Sequence, residues 1–169
     1  MENIIKDLIQ KYHQREEKQN EKFGLRRPIK ALEPASVEDL QKAKEFGFPE
    51  ELLGFYRLCN PKVCVEFKQR IWSIDAAIEE NEGAVPGCAL FPHGFVVFAS
   101  NGCGDAYCLD TNVTTPEGSH PVALFPHDAI DEDAELPKIQ SYRFQVADSL
   151  EDFLVKFINE TLRDEPFYG

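Results

Sequence analysis

The stretch Val96–Asp110 reads VVFASNGCGDAYCLD, two apolar runs on either side of a turn that holds two glycines, a cysteine and an aspartate. Residues Phe95 to Ala99 are apolar at successive positions, so a strand over them needs cover on both faces. Ala106 to Leu109 is the expected hairpin partner. In the turn, Asn101 and Gly102 tolerate positive φ, Gly104 adds a second such position, and Asp105 is suited to bond local backbone amides. The turn is therefore read first as a structural connection. Its functional reading is that it displays Asp105 at the protein surface.

Outward from the hairpin, Pro121 to Phe125 reads as a third strand and Phe144 to Val146 as an edge. Upstream, Val63 to Phe67 and Ile71-Trp72 read as short strands, with Asp75 capping a helix over Ala76 to Glu82 that Gly83 and Pro86 end. Before the strands come helices. Ile4, Ile5, Leu8, Ile9 and Tyr12 form one stripe on a first helix, from Glu2 to about Glu21. Ser36 and Asp39 match a capping box ahead of Val37, Leu40 and Ala43, and Gly47 closes that helix. Pro49 opens a third, with Leu52, Leu53, Tyr56 and Cys59 on one face and Asn60-Pro61 as its stop. The last helix has Asp148 as N-cap and Leu150, Phe153, Leu154, Phe157 and Ile158 as its buried stripe. The expectation is an α+β single domain, with a mostly antiparallel central sheet and helices before and after it. The pentapeptide ALFPH occurs at Ala89–His93 and Ala123–His127. With unmatched flanks, the two copies read as strand ends stopped by proline rather than as a repeat.

The chain has 169 residues and a net charge of -12, enough for one domain with a core. Its charge is segregated. From Ile71 to Pro137 there is no Lys or Arg, while twelve acidic residues fall there, so the other 18 acids balance all 18 bases. A field of that kind repels nucleic acid and attracts basic partners. The densest part, Asp128 to Glu135, has five carboxylates in eight residues. The candidate partner-binding residues are accordingly Asp105, Asp110, Asp128, Asp131, Glu132, Asp133 and Glu135. A charged first segment and five cysteines without an export leader place the protein in the cytoplasm, with free thiols and no membrane span.

The chemistry-bearing residues do not assemble into a catalytic pattern. Cys59 and Cys64, like Cys103 and Cys108, have four residues between them, wider than the usual zinc knuckle, and Cys59 and Cys108 fall in core patterns. The acidic segment lacks the central glycine of a calcium loop. Cys103 has histidines available as partners but sits in a window without bases, where a thiolate is disfavoured. No nucleophile elbow, phosphate loop or dinucleotide fingerprint is present. Neither metal nor cofactor is expected.

Three stretches carry a family resemblance: FPEELLGFYRLCN, VVFASNGCGDAYCLD and FQVADSLEDFLVKF. Over roughly Phe48 to Leu162 the chain resembles the Smi/Knr family of the SUKH superfamily. Gly104 and Asp105 match its Gly-Asp turn. Pro61 stands where the family usually has glycine, and Phe48 where leucine is commoner. The resemblance implies a domain over 36–169, preceded by an N-terminal helix and connection over 1–35, that binds and does not catalyse. Its implied role is an immunity protein that neutralises a bacterial toxin, the partner being a basic domain such as a nuclease. The alternatives are a regulator or scaffold of the same fold and, third, a cysteine-dependent enzyme or metal-binding protein.

Overall fold

The computed structural model describes residues 1–26, 28, 32–61, 65–66 and 69–163. Three helices come first: α1 (Glu2–Phe23), α2 (Val37–Phe46) and α3 (Glu50–Leu58). Strands β1 (Val65–Glu66) and β2 (Gln69–Ile71) lead to α4 (Ile74–Gly83) and the short α5 (Gly87–Leu90), which runs into a 3₁₀ turn over Phe91–His93. Then follow β3 (Phe95–Asn101), β4 (Ala106–Asp110), β5 (Val122–Phe125), α6 (Leu136–Ser141), β6 (Phe144–Ala147) and α7 (Leu150–Ile158). The six strands lie in chain order, each antiparallel to its neighbour. This is the expected α+β domain with helices before and after an antiparallel sheet.

Alternation along the central strands sorts their side chains into two cores. Tyr107, Leu109, Val122 and Leu124 belong to a large cluster with α1, α3 and α7. Ala106, Cys108, Ala123 and Phe125 belong to a smaller one with α5 and α6 residues. In β3, Val96 joins the first cluster while Phe95 and Val97 join the second, after which Phe98 and Ala99 both join the first. The cause is a bulge: Val97 faces Cys108 and Ala99 faces Tyr107, leaving Phe98 unpaired in the register. One extra residue resets the parity of the strand. Both faces are covered, as the apolar run required.

The stretch of β3 beside the bulge has lost its neighbour, because β2 ends opposite Ala99 with Ile71. The Asn81 side chain on α4 takes its place. Its Oδ1 accepts from the Val97 amide at 2.9 Å, and its Nδ2 donates to the carbonyls of Val97 at 2.8 Å and Ala77 at 2.6 Å. An asparagine amide thus substitutes for the peptide group of a longer β2, so these buried backbone groups are satisfied.

The closing helix shows why short elements hold. An isolated helix of this length is marginal in water. Leu150, Phe153, Leu154, Phe157 and Ile158 are all buried, each contributing about 1.5–3 kcal/mol relative to exposure. The capping box of Ser36 and Asp39 is present, and Gly47 ends α2 at φ 109°.

Several local expectations are corrected. Ser149, not Asp148, caps α7, accepting from the Asp152 amide. Ser73, not Asp75, caps α4, which begins at Ile74. A serine hydroxyl takes the capping position in both, one residue after the expected cap in α7 and two residues before it in α4, where Ile74 already belongs to the buried face. Pro49 is the N-cap of α3 rather than its first residue. Val37 is 85% exposed and takes no part in the apolar face of α2. Trp72 lies just beyond β2. Of the strand expected over Val63 to Phe67, residues 63, 64 and 67 lie outside the described residues. The first ALFPH copy is helical, not a strand end.

Candidate partner-binding surface

The β3–β4 turn is built around two side chains. Asn101 Oδ1 accepts from the amides of Cys103 and Asp105, both at 3.0 Å. Its Nδ2 donates to Asp105 Oδ2 at 2.8 Å. Asp105 Oδ1 accepts from the His127 amide at 3.0 Å and pairs with His127 Nδ1 at 2.8 Å. Local amides are therefore served by Asn101, and Asp105 reaches across to the chain leaving β5. Gly104 has φ +103°, and a Cβ there would stand 3.4 Å from the His127 ring. Gly102 does not have positive φ, so the turn requires it at Gly104 alone.

Asp105 is consequently buried, not displayed. Burial by itself raises its pKa, but hydrogen bonds from the His127 ring and amide and from Asn101 outweigh that and hold the carboxyl below its ordinary range. Asp110 is buried as well, at 2% exposure. Its Oδ2 accepts from Arg143 Nε at 2.7 Å, and its Oδ1 from the amide and side chain of Asn112 at 3.1 Å. Both aspartates join segments of the fold, and neither presents a free carboxylate to a partner. They leave the candidate contact set.

The remaining candidates are brought together. Asp128, Asp131, Glu132, Asp133 and Glu135 are all exposed on one loop between β5 and α6. Ile130 and Ala134 are its anchors, buried at 2% and 8% in the smaller core. The Ala134 amide bonds the Asp131 carbonyl at 3.0 Å, closing a turn that pushes the three consecutive carboxylates outward. Lys138 pairs with Asp131 from α6. The β4–β5 register places Ala106 opposite Phe125, so this loop begins at the same end of the sheet as the exposed residues Gly102, Cys103 and Gly104. His127, half-exposed at the junction, is oriented by its partner Asp105. A second acidic group lies on α4. Asp75, Glu79 and Glu82 flank Phe46 and Ile78 in a groove of about 620 Å³, with Lys42 bonded to Asp75 at 2.6 Å.

The cysteines take structural or solitary positions. Burial pushes the Cys59 thiol up to about 12. Cys108 is raised well above its ordinary value by burial and then by the Asp110 charge. Cys59, Cys88, Cys103 and Cys108 are free thiols, while Cys64 lies outside the described residues. Among the described residues no group of three or more His, Cys, Asp or Glu side chains is arranged to hold a metal ion. Among them, too, no helix is long and apolar enough to cross a membrane.

Fold and surface together define an α+β domain with a meander sheet and an anchored, exposed acidic loop at one end. The model of the SMI1 / KNR4 family (SUKH-1) matches residues 32–156. The chain belongs to that family. Membership fits a non-catalytic protein that works by binding other proteins. No curated protein matches the chain.

Proposed function

We propose that this protein is a cytoplasmic immunity protein that neutralises a bacterial toxin by covering a basic surface of it, such as that of a nuclease domain. The observation that carries this reading is the Asp128–Glu135 loop, whose carboxylates face solvent while Ile130 and Ala134 fix its backbone. Nuclease domains bind phosphate backbones and are commonly basic. An acidic surface opposite such a domain accelerates encounter and sets orientation. A single loop is smaller than a standard interface, which takes roughly 800 Å² from each partner. The turn residues Gly102–Gly104 and the His127 ring extend it.

The test is co-expression with a basic nuclease toxin domain, followed by stopped-flow association of the purified pair. Growth should be rescued. Association should slow as salt rises, because exposed charges are screened over about 10 Å at 0.1 M. Reversal to lysine at Asp131, Glu132 and Asp133 should slow it likewise. An association rate indifferent to both changes removes the loop from the interface.

A further inference from the structure

The acidic loop has a counterpart of opposite sign at the other end of the chain's charge distribution. A groove of about 670 Å³ runs between the second half of α1 and the end of α7, lined by Lys11, Arg15, Lys18, Lys22, Ile158 and Asn159. Its origin is legible in α1. The buried stripe of that helix is Ile5, Leu8 and Tyr12. Continued at helical spacing, the stripe meets Arg15 and Gln19 instead of further apolar residues, with Lys11, Lys18 and Lys22 beside them. Beyond Tyr12 no side chain of α1 is buried, and the half-buried Arg15 stands where the apolar stripe would continue.

Three features make this a groove for a ligand rather than a solvated helix face. The four cations recur at intervals of four, three and four residues, which aligns them along about 16 Å of one side. The opposite wall is the end of α7, which Lys11 Nζ ties to α1 by donating to Asn159 Oδ1 at 3.0 Å. Glu160 is the single acid among the described lining residues. All the lining residues lie outside the 32–156 span of the family match.

We propose that the groove binds an acidic segment of a partner protein, a second contact independent of the toxin reading and opposite to it in sign. A peptide with several carboxylates fits the length of the stripe and ends where it ends. Nucleic acid fits poorly: with a net charge of -12 overall, a strand running past the stripe meets a repelling surface.

The experiment uses the full chain and two fluorescent probes of matched charge, a short poly-glutamate peptide and an oligothymidylate, read by anisotropy. The peptide should bind and be released as salt rises. Lys18→Glu/Lys22→Glu should weaken it by roughly 5- to 30-fold, given two charge reversals worth roughly 0.5–1 kcal/mol each. Lys18→Gln/Lys22→Gln should give a smaller loss in the same direction. Both lysines are exposed, so an unchanged melting temperature will separate lost binding from lost fold. No peptide binding, or binding indifferent to the substitutions, overturns the proposal. Tighter binding of the oligothymidylate overturns it in favour of a nucleic-acid site.

Discussion

The pentapeptide Ala-Leu-Phe-Pro-His occurs twice and takes two conformations. At Ala89–His93 it is the end of α5 and a 3₁₀ turn, while at Ala123–His127 it is β5 and the residues that leave it. The first copy follows Pro86, whose carbonyl accepts from the Ala89 and Leu90 amides, so a helical turn is already begun. It can press against α4 because residue 87 is glycine: a Cβ there would stand 2.1 Å from the Glu80 carbonyl oxygen. The second copy lies between β4 and β6, where partners on both sides supply a ladder. Identical side chains thus follow the backbone partners offered by the surroundings. The two histidines end differently for the same reason. His127 is held by Asp105, whereas His93 contributes its carbonyl to the Asn112 side chain.

The two phenylalanines separate the copies most strongly. Phe125 is fully buried with its ring 4.8 Å from that of Phe95, and Phe125→Ala should cost about 3–5 kcal/mol in denaturant unfolding. Phe91 is only partly buried, stacked on Phe46 at 4.7 Å, and Phe91→Ala should cost about 1–2 kcal/mol, part of the full-burial value. Equal losses would show that the two environments differ less than their burial indicates.

Each copy also leans on a glycine, for a different cause. Gly87→Ala forces α5 away from α4 and should cost about 1–3 kcal/mol through overpacking. Gly104→Val places a branched side chain at φ +103° against the His127 ring, for a loss of about 1–3 kcal/mol. If Gly104→Val melts like wild type, the turn has been misread.

The histidines should give the smaller effects. Asp105 is held below its ordinary value of 3.8, with burial opposing and His127 and Asn101 prevailing. A lowered carboxylate contributes stability that is complete above that ordinary value and lost as pH falls through the lowered one. His127→Ala removes the ring's part of this, and at 46% side-chain exposure the loss should be about 0.5–1 kcal/mol at neutral pH. The gap between variant and wild type should close once acid protonates Asp105 in both. A gap that persists below that range would assign the loss to packing instead. His93→Ala, which retains the bonded carbonyl, should stay within about 0.5 kcal/mol of wild type.

What was legible in the residues follows the range of the forces involved. The five-residue stripe of α7 and the hairpin around Gly104 rest on neighbours in sequence, and both stand where their patterns place them. Helices α5 and α6 have four and six residues, too few for an apolar period to emerge. Asn81 looked like any polar helix residue, because its role exists only where β2 stops short of Val97. The acidic loop was legible from its density of carboxylates. Asp105 and Asp110 were grouped with it because composition does not distinguish a displayed carboxylate from a bonded one. Their partners, His127 and Arg143, are 22 and 33 residues away and meet them only through the strand register. The basic groove was missed for a similar reason. Its cations are visible along α1, but its second wall comes from the far end of the chain.

The bulge in β3 bears on how this protein can vary in length. Phe98 can be lost without exchanging the two faces of the strand: Val97 and Ala99 would then be consecutive, still opposite Cys108 and Tyr107 and still directed to the smaller and the larger core. What such a deletion removes is the Phe98 ring, fully buried 4.9 Å from that of Phe153. A further residue inserted there would instead exchange the two faces on one side of it. Substitutions that keep volume remain open to this strand. Gains of single residues are instead expected in the loops, Thr111–His120 foremost, where exposed backbone absorbs them without reversing a face.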